Sequence, residues 1–180
     1  MTADNDKAGE TGERVAEACS GMEGEVSYTG APIDVDGRDA VTREVCRGAG
    51  RLLRALSFAV ITELSLPNGR RADIVGLSPA GDIWIVEVKS CFDDLRVDTK
   101  WPEYRDFSDA LFFAVTPGFP RAALPDDTGL ILADRYGAEI VRDAPQTRLA
   151  PARRKAMTLR FARAAAFTLQ AIADPGLENS

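Results

Sequence analysis

The chain has 180 residues, of which 45% are hydrophobic and 28% charged, and its formal net charge is -6. This composition fits one soluble domain with or without a tail, and no apolar run reaches the roughly 18 to 20 residues of a membrane-spanning helix. The sequence contains no histidine, which excludes His-dependent triads, histidine general bases and histidine metal sites.

The first 36 residues are strongly acidic, with nine acids, two basic residues and a net charge of -7. Few large apolar residues occur there, so this segment cannot bury enough surface to offset the entropy cost of ordering it. We predict a mostly disordered tail over residues 1–36 and a folded domain over residues 37–176. Residues 37–180 carry a net charge of +1, so the acidity of the whole chain does not exclude nucleic acid as a partner.

A helix is predicted from Asp39 to about Ser57, because its apolar residues fall on one side of a 3.6-residue period. Its opposite side is basic. The arginines on that side are Arg43, Arg47, Arg51 and Arg54. This face is either an ordinary solvated surface or a stripe that faces phosphates.

Strand and turn signals follow the helix. Three strands come first, a polar segment over residues 91–109 follows them, and three more strands come next. The predicted strands are FAVITELSL, RADIVGL, IWIVEVKS, ALFFAV, GLILAD and AEIVR. A helix over residues 152–173 closes the domain. This order indicates an α/β or α+β sandwich with a central mixed sheet.

The second and third predicted strands bring two acids and a lysine together. A turn centred near Ala80 makes the numbers of paired residues add to about 160, which places Asp73 opposite Glu87 with their β-carbons roughly 5 Å apart. Alternation along the strand puts Lys89 on the same face as Glu87. Two facing carboxylates repel each other unless a cation neutralises them. The alternative is that all three are ordinary surface residues of a half-exposed hairpin.

Carboxylate oxygens without a soft ligand suit Mg²⁺ or Mn²⁺. Such an ion lowers the pKa of a bound water and stabilises charge that develops at phosphorus. Lys89 could then orient the attacking water, help its deprotonation or offset the charge of the phosphate. Hydrolysis of a phosphodiester needs these groups and no histidine, so the pattern favours a metal-dependent nuclease.

The three cysteines of the chain are odd in number and irregularly spaced, which argues against a disulfide framework and against a thiolate zinc site. The N-terminus is polar and acidic and shows no secretory signal. Both features predict a reducing, cytoplasmic location without a membrane partner.

The most distinctive stretch runs from Gly69 to Pro120. Asp73, a turn and then Glu87-Val88-Lys89 resemble the Asp…(Asp/Glu)-x-Lys signature of the PD-(D/E)XK nuclease superfamily, with Ala72 where the signature has proline. After EVKS come an Asp-rich segment, a Lys-Trp-Pro-x-Tyr element and an FAV…PGFP strand and turn. The residues of that element are Lys100, Trp101, Pro102 and Tyr104. The stretch thereby resembles the MmcB-like family of bacterial DNA repair proteins.

This resemblance implies a restriction-endonuclease-like core, a role in DNA repair and metal-dependent cleavage of DNA. Asp73 and Glu87 match the metal-binding carboxylates of the superfamily, and Lys89 matches its catalytic lysine. The substrate would be branched, damaged or single-stranded DNA in the bacterial nucleoid, with other repair proteins as possible partners. The alternative is an inert nuclease fold that binds DNA or a partner protein.

Further residues are candidates for supporting roles. Nucleases of this type commonly use an extra acid at the metal, and Glu63 is our candidate ahead of Glu44, although Glu63 could instead pair with Arg70 or Arg71.

The aromatic residues Trp101 and Tyr104 either cover the sheet or pack on a sugar or base. The candidate DNA contacts are Lys100, Tyr104, Arg71 and Arg51. The basic start of the last helix is either solvated or faces a phosphate backbone.

Overall fold

The computed structural model describes residues 35–174 of the chain. The predicted disordered tail lies outside the described residues except for its last two, which already belong to the first helix. The elements in chain order are α1 (Val35–Ala55), β1 (Ala59–Ser65), β2 (Arg71–Leu77), β3 (Ile83–Lys89), α2 (Phe92–Val97), a 3₁₀ helix (Trp101–Phe107), β4 (Ala110–Val115), a second 3₁₀ helix (Arg121–Ala123), β5 (Gly129–Ala133), β6 (Ala138–Arg142) and α3 (Pro151–Ala173).

The six strands form one sheet in the order in which they occur in the chain. The pairs β1–β2, β2–β3 and β5–β6 are antiparallel, and the pairs β3–β4 and β4–β5 are parallel. Parallel neighbours need a crossover connection. Residues 91–109, which the sequence predicted only as a polar segment, form the crossover from β3 to β4. They contain α2 and the first 3₁₀ helix. The architecture is the predicted α+β fold with a mixed sheet and flanking helices, consistent with a restriction-endonuclease-like core.

Helix α1 covers one face of the sheet, as its apolar period predicts. Its buried residues Val45, Ala49 and Leu53 pack against even-numbered strand residues that include Val86 and Phe112. Full burial of each large aliphatic side chain contributes about 1.5 to 3 kcal/mol. The four arginines of the opposite face are exposed to solvent, also as predicted. Within residues 35–174, no helix is long and apolar enough to cross a membrane.

Helix α3 and the first 3₁₀ helix cover the other face. Met157, Phe161 and Tyr104 pack there against odd-numbered strand residues such as Ile83 and Ile85. The strands of the hairpin therefore present opposite sets of residues to two separate layers. Glu87 and Lys89 continue the odd-numbered series at the far end of β3.

The basic start of α3 is explained by a buried acid that the sequence did not single out. Asp109, just before β4, accepts hydrogen bonds from the backbone N–H groups of Ile83 and Leu149 at 2.7 and 2.9 Å. Its carboxylate also pairs with the Arg154 guanidinium at 2.5 Å. Next to it, Arg153 pairs with Asp106 at 3.1 Å. These carboxylates offset the unfavourable placement of positive charge at a helix N-terminus.

Candidate active site

The two predicted acids face each other across the β2–β3 hairpin. The pairing of Ile74 with Val86 and of Val75 with Ile85 is the register that the turn predicts, and it places Asp73 opposite Glu87. At this position the carboxylates bond to the backbone of the opposite strand. The Val88 N–H donates to Asp73 Oδ2 at 2.8 Å, and the Asp73 N–H donates to Glu87 Oε1 at 3.3 Å. Each acid is therefore held in place by the partner strand.

Both carboxyl groups resist ionisation. Burial is the main cause at Glu87, which is 3% exposed, and the charge of Asp73 adds to it, so that the pKa of Glu87 rises to about 8. Burial also raises the pKa of Asp73, against the opposing effects of the Val88 N–H and Lys89. Two such groups close together favour any cation that can neutralise them.

Lys89 lies on the same face as Glu87, as the alternation of the strand predicts. Its side chain is buried, and its Nζ atom lies 4.0 Å from Glu87 Oε2. A nearer partner is Asp98, whose Oδ2 atom lies 2.5 Å from Nζ. Hydrogen bonds from Lys89 and from the Lys100 N–H outweigh the effect of burial and lower the pKa of Asp98. The three predicted residues thus meet at one place, together with a fourth that was not predicted.

Asp98 was missed because its position depends on the crossover after β3. The only sequence signal was the Asp-rich character of the segment that follows EVKS, and several acids there were equal candidates. Asp98 is the acid that reaches Lys89 because it directly follows the last residue of α2.

Glu63 is close to the acidic pair but is engaged elsewhere. It has a positive φ of 57°, which interrupts the regular alternation of β1. Its carboxylate is about half exposed and pairs with the Arg71 guanidinium at 2.5 Å. Of the two alternatives for Glu63, the structure therefore shows the ion pair. Among the side chains that the structure describes, which exclude those of residues 35–39, 93, 94 and 97, no group of three or more Asp, Glu or Cys residues is arranged to hold a metal ion.

The donor set at the site still fits Mg²⁺ or Mn²⁺. Asp73 and Glu87 supply hard oxygen ligands on two facing strands, and neither acid has an arginine within ion-pair distance in the described part of the chain. Mg²⁺ keeps several of its waters and needs only one or two carboxylates from the protein. Two carboxylates are thus a sufficient protein contribution.

The candidate DNA contacts divide into exposed cations and one buried ring. Lys100, Arg71 and Arg51 are exposed, although Arg51 also donates a hydrogen bond to the Arg135 carbonyl at 2.9 Å. Tyr104 is 7% exposed, and its hydroxyl donates to the Arg71 carbonyl at 3.2 Å. The ring of Tyr104 packs in the core and is not available to stack on a base, so the packing alternative applies to it.

Trp101 also packs within the protein, so the packing alternative applies to it too. Its ring contacts Phe113 edge to face at 5.7 Å between centroids, and the Arg105 guanidinium lies over it. The aromatic residues of the Lys-Trp-Pro-x-Tyr element therefore attach the crossover to the sheet next to the acids.

Cys46 lies on the side of helix α1 that packs against the sheet. Burial and then the charges of Asp73, Glu63 and Glu87 raise the pKa of the Cys46 thiol to about 12. At neutral pH this thiol is protonated and is a poor nucleophile.

A family profile described as DNA repair protein MmcB-like matches residues 31–176. The chain belongs to the MmcB-like family of DNA repair proteins. Among solved structures, the SPO1766 protein of unknown function from Silicibacter pomeroyi is 44% identical, with a TM-score of 0.74. The match covers 77% of this chain and 94% of that chain. A search of curated proteins gives no match.

The range matched by the MmcB-like profile includes the whole sheet and all the candidate site residues. Asp73, Glu87, Lys89 and Asp98 lie within it, as does the Lys-Trp-Pro-x-Tyr element. The family membership predicted from the sequence is confirmed.

Proposed function

We propose that this MmcB-like protein is a DNA endonuclease of the PD-(D/E)XK type that hydrolyses phosphodiester bonds with Mg²⁺ or Mn²⁺. The observation that carries the proposal is the convergence of Asp73 and Glu87 on two facing strands, with the ammonium group of Lys89 beside them. Two buried carboxyl groups that face each other oppose each other's ionisation and are costly to bury, so their presence favours a functional role.

Asp73 and Glu87 would hold the cation through their carboxylate oxygens. When bound, the ion would acidify a coordinated water and stabilise negative charge on the phosphate. The backbone hydrogen bonds from Val88 and Asp73 fix the direction of both carboxylates before any ligand arrives. Such preorganisation lowers the cost of assembling the site around the substrate.

Lys89 supplies a positive charge at a fixed place near the acids. A buried ammonium close to a bound phosphate would stabilise the additional negative charge of the transition state, or would orient the attacking water through its N–H groups. Because the Lys89 side chain is buried, solvent and salt screen its positive charge only weakly.

The exposed arginines of α1 are suited to hold the DNA backbone. Arg43 and Arg47 lie one turn apart on the exposed side of α1. Phosphate contacts of this kind position DNA without reading its sequence. We therefore expect a substrate chosen by its structure, such as branched, damaged or single-stranded DNA.

An inert nuclease fold that binds DNA or a partner repair protein is the second candidate. The observation in its favour is that no third acid joins Asp73 and Glu87 in a metal-binding arrangement among the described residues. It predicts salt-dependent DNA binding without turnover.

We expect the full-length protein to cleave DNA with Mg²⁺ or Mn²⁺ and to be inactive in EDTA. The variants Asp73→Ala, Glu87→Ala and Lys89→Ala should each lose at least about 100-fold in cleavage rate, because each removes a group that contacts the ion or the phosphate. Gel assays on branched, single-stranded and duplex substrates would measure this.

Glu139→Ala is the matched control, since Glu139 is an exposed acid on β6. Circular dichroism would confirm that all four variants fold. Cleavage that persists in EDTA or in all three site variants would contradict the proposed chemistry. Salt-dependent binding without cleavage by any metal would favour the inert alternative.

A further inference from the structure

The position of the Lys89 ammonium group is determined by Asp98. Among the described side chains, two carboxylates lie within reach of Nζ, and Asp98 Oδ2 at 2.5 Å is much closer than Glu87 Oε2 at 4.0 Å. The closer pair is a charge-assisted hydrogen bond, whereas the longer distance is outside hydrogen-bond range. Lys89 is therefore bonded to a residue of the crossover and not to its neighbour on the strand.

Asp98 is itself firmly supported. Its Oδ1 atom accepts a hydrogen bond from the Lys100 N–H at 3.0 Å, and its own N–H donates to the Leu95 carbonyl at 3.2 Å. Leu95 on one side and Trp101 on the other pack into the apolar cluster around Phe113. The carboxylate is thus presented to Lys89 by a segment that is attached to the sheet at both ends.

We propose that Asp98 is a positioning residue that holds the Lys89 ammonium group away from Glu87, which leaves the Glu87 carboxylate open to a cation. Without Asp98, Glu87 would be the nearest anion to Lys89 among the described side chains, and a buried ammonium requires an anionic partner. A direct Lys89–Glu87 ion pair would neutralise one of the two carboxylates that the cation needs. This inference rests on the proposed function, and it adds a residue that the nuclease signature does not contain.

Asp98→Asn is the informative variant. Asparagine has the same shape and retains an oxygen that can accept the Lys100 N–H, so the end of α2 keeps its support. It removes the negative charge that binds Lys89. The matched control is Asp106→Asn in the same crossover, because Asp106 also pairs with a cation, Arg153, but on the surface.

We expect a crystal structure of Asp98→Asn to show Nζ of Lys89 within about 3.2 Å of a Glu87 oxygen. The kcat for DNA cleavage in Mg²⁺ should fall about 10- to 100-fold, as is typical when a residue that orients a functional group is lost, while KM for DNA stays within about twofold. Asp106→Asn should change neither value by more than about twofold.

A Lys89 side chain that stays in place in Asp98→Asn would overturn the inference. So would a kcat that falls no further than in Asp106→Asn when the wild type is active. If the wild-type protein cleaves no DNA with any metal, the proposed function fails. The crystal structure of Asp98→Asn then decides alone whether Asp98 positions Lys89.

Discussion

Glu87→Gln is expected to abolish metal-dependent DNA cleavage and, at the same time, to make the metal-free protein more stable. Glutamine keeps the size of the side chain but removes a buried charge that faces Asp73, so the cleavage rate should fall at least about 100-fold. The free energy of unfolding at pH 8 in EDTA should rise by about 1 to 3 kcal/mol, because removal of a buried like-charge pair relieves both repulsion and desolvation.

The stability of the wild type should therefore depend on pH in a defined direction. Burial and the charge of Asp73 raise the pKa of Glu87 from 4.5 to about 8. Between these two values the unfolded chain has already released this proton while the folded protein retains it. Stability from this group is present below pH 4.5 and is lost as the pH rises toward 8. In Glu87→Gln this loss should be smaller.

Urea denaturation at pH 5, 6.5 and 8, with EDTA or with Mg²⁺, measures these effects. A cation that binds only the folded protein adds stability, so Mg²⁺ should stabilise the wild type and not Glu87→Gln. The control is Glu139→Gln, the same chemical change at an exposed strand position. A Glu87→Gln protein that is less stable than the wild type in EDTA at pH 8 would show that the carboxylates do not repel each other as described.

Asp109→Ala is expected to lower the free energy of unfolding by about 3 to 5 kcal/mol, the usual cost of removing one partner from a buried ion pair. The Asp109 side chain is 4% exposed and accepts hydrogen bonds from the N–H groups of Ile83 and Leu149 and from Arg154. Alanine leaves two buried N–H groups without their acceptor and removes the carboxylate that pairs with the Arg154 guanidinium, which keeps its hydrogen bond to the Gly81 carbonyl. The variant would thereby lose the side chain that links the start of β4 to the starts of β3 and α3.

The neighbouring surface pair provides the control for Asp109→Ala. Asp106 and Arg153 are the same residue types at a similar position, but both side chains are largely exposed. Asp106→Ala should therefore cost less than about 1 kcal/mol. Urea denaturation of both variants at pH 7 tests the difference, and equal effects would contradict the central structural role of Asp109.

The lowered pKa of Asp109 adds a second test of this network. Burial opposes ionisation there, but the hydrogen bond from Arg154 and those from the Ile83 and Leu149 N–H groups outweigh it. The stabilisation is present above the ordinary aspartate pKa and is lost as the pH falls through the lowered value. Wild-type protein should thus lose this contribution in acid, and Asp109→Ala should show a smaller acid-dependent loss.

The hairpin of the site was predictable because it depends on local rules. A turn near Ala80 and the two-residue period of strands were sufficient to place Asp73 opposite Glu87 and Lys89 on the same face. Apolar periodicity likewise predicted α1 and its basic face. The mixed sheet followed from the order of the elements.

The partners of the charged residues were not predictable, because they depend on contacts between segments distant in sequence. Asp109 and Arg154 are 45 positions apart, so neither could be paired from spacing. Asp98 reaches Lys89 only through the path of the crossover. Glu63 departs from the expected strand conformation through its positive φ, and its ion pair with Arg71 is one of two alternatives that the sequence left open.

The most direct test of the account is a crystal structure of the full-length protein soaked in Mn²⁺, with the ion located by its anomalous signal. We expect manganese to be coordinated by carboxylate oxygens of both Asp73 and Glu87, with Lys89 still bonded to Asp98. A saturating soak that leaves these two carboxylates without an ion, or that shows manganese only at other positions, would contradict the proposal that they form a metal site.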